Sequence, residues 1–329
     1  MAARVGTRAT ARAGAAGLRA PPARRPRAAS VAGVGPVHVE TSADGIDVAV
    51  HVLAGTGAPA VLVHATGFHG LVLGPLAQLL GVRFTCVAPD LRGHGGSGAP
   101  ADGDYSWGGF GFDVLAAARL ATRVALADRG GSATRAERPV GFGHSLGGTA
   151  LLLAEASEPG TFAALYCYEP ILFERNDRRP LDLANPMSDA ARRRRARFAS
   201  RRDALDRYWA RPPLALLDAA VLEAYVEHGF VDAADGAVEL ACAPETEALV
   251  FANGYACDAL DRIGGIACPV VLARGGASSD VGRGALARAT AQLRDARLVE
   301  VDGLGHLGPL EDPAAVAESV LSNLGTAGA

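Results

Sequence analysis

From Pro36 onward, short apolar runs rich in β-branched residues alternate with longer amphipathic stretches, and this alternation limits the fold more than any other property of the chain. The runs are Ala60–His64, Arg83–Ala88, Val140–Gly143, Ala163–Tyr168, Val270–Ala273 and Arg297–Val301. Helical patterns fall between them, near Gly74–Leu80, Val114–Asp128, Ser145–Ala156, Gly284–Leu293 and Pro313–Leu324. Strands separated by helices imply a mostly parallel sheet with both faces covered. Ahead of them, Val37–Thr41 and Ile46–Leu53 alternate polar and apolar residues about an Asp-Gly pair, which predicts a hairpin. The expected fold class is α/β, a doubly wound sheet whose functional groups sit at the carboxyl ends of the strands.

The alternation stops between about Leu172 and Tyr255. This stretch shows no clear strands and reads as short helices, Asp189–Arg207, Leu217–Glu227 and Glu245–Phe251. The expected organisation is an extension over residues 1–35, a core formed by 36–171 and 256–325, and a helical lid inserted as 172–255. The lid offers Phe198, Tyr208, Trp209, Leu214, Tyr225 and Phe230 either as its own core or as cover for a substrate. Its arginine run, Arg192–Arg195, reads as a solvated helix face rather than a polyanion site.

Composition removes several function classes. No apolar run approaches the roughly 18 residues of a membrane span. A net charge of −3 disfavours a general nucleic-acid binder. All 32 basic residues are arginine; residues 1–35 hold seven of them, while all 35 acidic residues lie beyond. That extension lacks periodic apolar positions and reads as disordered or as an organelle transit segment; with no secretory pattern, a cytoplasmic location is expected, or an organelle if the segment is a transit signal. Five scattered cysteines form no CxxC pair and no zinc spacing, so they read as small buried hydrophobes, with no disulfide framework, metal or cofactor expected. Nothing in the sequence sets the oligomeric state.

The strongest chemical signal is Gly141-Phe-Gly143-His-Ser145-Leu-Gly147-Gly148 between a predicted strand and a predicted helix. Gly-x-Ser-x-Gly in that context is a nucleophile elbow, a tight turn that needs small flanking residues to hold a strained serine at a helix N-terminus. A serine hydroxyl needs a base, and His306, in the glycine-rich loop after the last predicted strand, is the best placed. Of the others, His38 and His51 belong to the first hairpin, His64 and His94 read as structural, and His69 is a candidate to line the pocket. His144 fills the variable position of the elbow, and His228 belongs to the insert.

With these residues in place, the chain from Val37 to Leu324 resembles the α/β-hydrolase family. Asp90-Leu-Arg92-Gly93-His94-Gly95-Gly96-Ser97 is similar to the family's loop after the fourth strand. His64-Ala-Thr66-Gly67-Phe68 is similar to its loop after the third, with Ala65 where a glycine is usual. The resemblance implies an oxyanion hole from the backbone N–H groups of Thr66 and Leu146. It also implies a third, acidic member: Asp280, in the loop Arg274–Val281, is favoured, and Glu169, at the end of the preceding strand, is the alternative. Asp280 could instead cap a helix, Glu169 could pair with an arginine of the insert, and Asp113 reads as a helix N-terminal charge. A serine at the elbow argues against the epoxide hydrolases and haloalkane dehalogenases, which use aspartate there. The implied activity is cleavage of a small or medium carboxylic ester, a small-molecule substrate, through an acyl-enzyme. The same residues would also suit hydrolytic carbon–carbon cleavage, acyl transfer to another acceptor, or a slow-turnover ligand-binding protein.

Overall fold

The computed structural model describes residues 37–128, 137–174, 177, 185–279 and 282–324; the extension over residues 1–35 and the favoured acid Asp280 lie outside the described residues. Eleven strands are present among them: β1 (Val37–Thr41), β2 (Asp47–Ala54), β3 (Ala58–Val63), β4 (Phe84–Pro89), β5 (Val140–His144), β6 (Ala164–Tyr168), β7 (Arg197–Phe198), β8 (Phe230–Asp232), β9 (Val238–Leu240), β10 (Val270–Gly275) and β11 (Ala296–Val301). Eight form the main sheet in the order β1-β2-β4-β3-β5-β6-β10-β11. The Asp-Gly hairpin makes β1 and β2 antiparallel, and β2 runs antiparallel to β4. Every later pairing is parallel.

The unbroken apolar runs follow from burial on both faces. In β3, Val61 and Val63 pack with Val87 against the helices Trp107–Asp128 and Leu146–Ser157. Their neighbours Ala60 and Leu62 point the other way, with Cys86 and Ala88, onto the helices Gly74–Leu80 and Pro313–Leu324. All five cysteines are buried thiols outside any disulfide. The strand order reverses between β3 and β5, because the chain steps from β3 to β4 on one side and crosses back to β5 on the other. A crevice therefore opens at the carboxyl ends of these two strands. Among the described residues, no helix is long and apolar enough to cross a membrane.

Between β6 and β10 the insert differs from the expected helices. Asn185 caps a helix over Pro186–Arg192, which stops at the first residue of the arginine run. The chain then extends through β7 before Ser200, accepting from the Asp203 N–H, caps a second helix over Arg201–Trp209. β7 pairs with β9 and β9 with β8 as a small antiparallel sheet. Asp235-Gly236, with Gly236 at φ 85°, turns the chain between β8 and β9, so this hairpin carried the same signal as the first one. Phe198, Tyr208 and Phe230 meet with ring centroids 5.6–6.4 Å apart and form the insert's own core, while Trp209 is exposed.

A buried ion pair fastens the loop after β4 to the helix Trp107–Asp128. Asp113 is not an ordinary helix N-terminal charge: it is fully buried and accepts from the Arg92 guanidinium at 2.7 and 3.0 Å and from the Arg92 N–H at 2.9 Å. Arg92 also reaches Asp44 in the turn of the first hairpin at 2.6 Å. Removing one partner of such a pair strands the other charge in the interior. Asp113→Ala is expected to lower unfolding free energy by about 3–5 kcal/mol in urea titration, whereas a loss below about 1 kcal/mol would mean that the pair is solvated.

Candidate active site

β5 ends in a turn that only a short list of residues can make. Ser145 has φ 54° and ψ −117°, a left-handed backbone at the entry of the helix Leu146–Ser157. A Cβ at Gly143 would lie 2.5 Å from the Gly147 carbonyl oxygen, and one at Gly147 would lie 2.3 Å from the Val63 oxygen. Both glycines are thus required by close backbone approach, and the second brings the end of β3 against the turn. Ser145 and Glu169 are the two non-glycine residues with positive φ among the described residues, Glu169 at 46°. Such backbone costs about 1–3 kcal/mol each and persists only where the surroundings enforce it. Here the ladder does so: Ser145 N–H donates to the Tyr168 carbonyl at 2.9 Å, and Glu169 N–H to that of Ala273 at 2.7 Å.

His306 completes the arrangement from the loop after β11. Its Nδ1–H donates to Glu169 Oε2 at 2.7 Å, which leaves Nε2 to accept from the Ser145 hydroxyl at 3.2 Å. Glu169 Oε1 accepts from the Gly275 N–H at 2.9 Å. Burial pushes the Glu169 carboxyl up, but the hydrogen bonds from His306 and Gly275 outweigh it and bring the pKa down to about 2. The one hydrogen that Nδ1 can give thus goes to Glu169, just past the end of β6, while Asp280 lies outside the described residues. Two further side chains hold the histidine loop. His144 donates from Nε2 to the His306 carbonyl at 2.7 Å, and the Tyr168 hydroxyl donates to that of Gly305 at 2.9 Å.

On the other side of Ser145, the loop after β3 is clamped by two buried histidines. His64 gives its Nδ1–H to the Ala65 carbonyl at 2.8 Å and accepts the Leu91 N–H at 2.9 Å. His94 returns the link from the opposite loop, giving Nδ1–H to the Arg92 carbonyl at 3.0 Å and accepting the Gly67 N–H at 3.1 Å. Each ring must be neutral to serve as donor and acceptor at once. Asp90 ties the same loops by accepting from the Gly70 and Gly96 N–H groups, both at 2.8 Å. Thr66 sits between these fastenings, and the Leu146 N–H belongs to the first helical turn, where no intrahelical acceptor exists.

Ser145, His306, Thr66 and Gly67 share a cavity of about 360 Å³ with Met187, Ala190, Arg194, Leu214, Tyr225, Glu247 and Phe251 of the insert. A strained serine at a strand–helix turn, its histidine and the order of the strands are thus in hand, and residues 60–319 match the alpha/beta hydrolase family. The chain belongs to this family. Among solved structures, it is similar to E-2-(acetamidomethylene)succinate hydrolase (TM-score 0.67, 21% identity, 88% of this chain and 99% of that one). It is also similar to an esterase from Rhodococcus sp. ECU1013 (TM-score 0.61, 21% identity, 89% and 99%) and to a thermophilic esterase from Thermogutta terrifontis (TM-score 0.62, 19% identity, 90% and 100%). At these identities the likeness is one of fold. No protein of curated function matches it by sequence.

Within this alpha/beta hydrolase, Ser145, His306 and Glu169 come together and Thr66 lines the same cavity. His69 does not line it: the ring is buried and lies stacked on Tyr225, with centroids 6.0 Å apart. Arg194 was missed, because the run that contains it is not one helix face. Among the described residues, no group of three or more His, Cys, Asp and Glu side chains is placed to hold a metal ion.

The neutral histidines around the site set a pH dependence. Burial holds His64 and His144 down to about 3 and His69 to about 4, and it lowers His94 as well. Their unfolded values lie at about 6.5, so below that pH the unfolded chain takes up protons that the folded one refuses. His51 works in the opposite sense: burial opposes its charge, but Asp90 at 3.0 Å outweighs this and raises it. It is one group against four. Stability is expected to decline as the pH falls from about 6.5 toward 4, by up to about 2 kcal/mol per neutral histidine at pH 5. Thermal melts at pH 7.5 and 5.0 check this; equal melting temperatures would contradict it.

Proposed function

We propose that the protein is a serine hydrolase that cleaves small or medium carboxylic esters. The observation that carries the reading is the continuous hydrogen-bond path from Ser145 Oγ through both ring nitrogens of His306 to Glu169. Ser145 Oγ attacks the ester carbonyl carbon while its proton passes to His306 Nε2, and the ionised Glu169 stabilises the imidazolium that results. The carbonyl oxygen becomes an oxyanion and accepts from the Thr66 and Leu146 N–H groups, a contribution of roughly 2.7–4 kcal/mol per donor. His306 then returns the proton to the departing alcohol. Water, activated by the same nitrogen, releases the acid and restores Ser145.

The insert, residues 172–255, acts as the lid of this site, since its described residues supply much of the cavity wall. A space of about 360 Å³ suits an acyl group of modest length. No metal or organic cofactor takes part in these steps.

Two experiments test the assignment. A fluorophosphonate probe is expected to label the wild-type protein and not Ser145→Ala; labelling of both, or of neither, would sink the reading. Glu169→Gln is expected to lower kcat by roughly three to four decades, as for a lost triad carboxylate. Asp280→Asn is expected to lower it by less than about tenfold, an ordinary loop effect. The reverse ranking would give the role to Asp280.

A further inference from the structure

The cavity wall contains one polar cluster that the proposed chemistry does not use. Arg194 donates from Nη1 to Glu247 Oε2 and from Nη2 to the Tyr225 hydroxyl at 2.5 Å. All three residues line the cavity with Ser145. Tyr225 and Glu247 are buried, and Arg194 is half-buried. The cluster stands against the loop after β3: a Cβ at Gly67 would lie 2.8 Å from Glu247 Oε1 and 3.3 Å from Arg194 Nη1. It is thus one residue from Thr66, close to where the scissile carbonyl would sit.

A shielded ion pair is weak evidence of stabilisation, because desolvation offsets its attraction. An apolar wall would serve an apolar acyl chain better, so the pair points to recognition of something polar. Its charges decide what. Arg194 is the only permanently cationic side chain lining the cavity among the described residues, and Glu247 already neutralises it. Glu169 adds a second negative charge behind His306. A substrate carboxylate would lose its hydration here and meet no uncompensated cation. An uncharged acceptor fares differently. The guanidinium has more N–H donors than its bonds to Glu247, Tyr225 and Tyr208 consume, and the Tyr225 hydroxyl, already accepting from Arg194, has its own hydrogen to donate.

We propose that Arg194 and Tyr225 form an acyl-chain subsite, kept neutral by Glu247, that selects uncharged acyl groups bearing a second carbonyl oxygen and rejects acyl groups ending in a carboxylate. The subsite deepens the ester-hydrolase reading and rests on it.

Three chain-matched esters test it: ethyl pentanoate, ethyl 4-oxopentanoate and monoethyl succinate, which differ at the fourth carbon of the acyl chain. At pH 7.5 the oxo ester is expected to exceed the pentanoate in kcat/KM by about tenfold, and the half-ester to fall about tenfold below it. A half-ester turned over as fast as the pentanoate would overturn the proposal. In Glu247→Gln the freed arginine is expected to raise the half-ester relative to the oxo ester by at least about tenfold, and an unchanged ratio counts against it. Tyr225→Phe supplies an independent arm should the first variant misfold: the advantage of the oxo ester is expected to shrink, and an undiminished advantage removes Tyr225 from the subsite. Fluorophosphonate labelling separates the two failures. Labelled protein with the wrong substrate order refutes the subsite alone; unlabelled protein that cleaves none of the three esters refutes the hydrolase reading and the subsite with it.

Discussion

The close approach of three backbone segments at Ser145 is the constraint on which the rest of the site depends. The Gly147 carbonyl lies under Gly143, and the Val63 carbonyl lies under Gly147, so the end of β3, the turn and the start of the helix are in mutual contact. Side chains at either glycine would force them apart by distances that backbone cannot absorb. The same contact brings the loop after β3, with Thr66, beside the serine. The proposed nucleophile and oxyanion donors are thus placed by one packing requirement instead of two.

A second strained residue repeats the device one strand over. Ser145 directly follows β5 and Glu169 directly follows β6, and the pairing of His144 with Tyr168 sets the two strand ends level. His144 and Tyr168, each next to a strained residue, turn to the loop after β11 and hold the carbonyls of His306 and Gly305. The register of one strand pair therefore orients serine, acid and histidine together. The proposed proton transfer over 3.2 Å asks for this, since a loose histidine loop would lengthen the distance at every excursion.

How much of this was legible depends on the range over which each signal acts. The elbow and the glycine-rich loop at His306 are local patterns, and the main strands and helices follow from period alone. The contact of Glu169 with His306 was not legible, because its partner is 137 residues away and the contact rests on sheet register, which a single chain does not display. Asp113 was misread for the same reason: its helix is local, but Arg92 comes from the loop after β4 and Asp44 from the turn of the first hairpin. The hairpin of β8 and β9 is a different kind of miss. Its Asp235-Gly236 turn was visible, but strands of three residues are too short to show alternation.

The arginine run shows why composition stops short of function. Four consecutive arginines on a continuous helix would spread around its surface. Here the helix ends at Arg192 and each following residue takes its own direction. Arg192 pairs with Glu245 at 2.9 Å and Arg195 with Asp203 at 3.0 Å on the outside, while Arg194 turns inward to Glu247. Tyr225 extends that inward contact into the core: its hydroxyl accepts from Arg194, its ring lies 5.2 Å from Phe68, and its carbonyl accepts from His69 at 3.4 Å. Phe68 and His69 continue the loop that carries Thr66. The insert and that loop are consequently joined by both polar and apolar contacts, so a substitution in the insert at Tyr225 would disturb the loop as well as the cavity wall. The proposed acyl subsite and the proposed oxyanion loop therefore meet at one tyrosine.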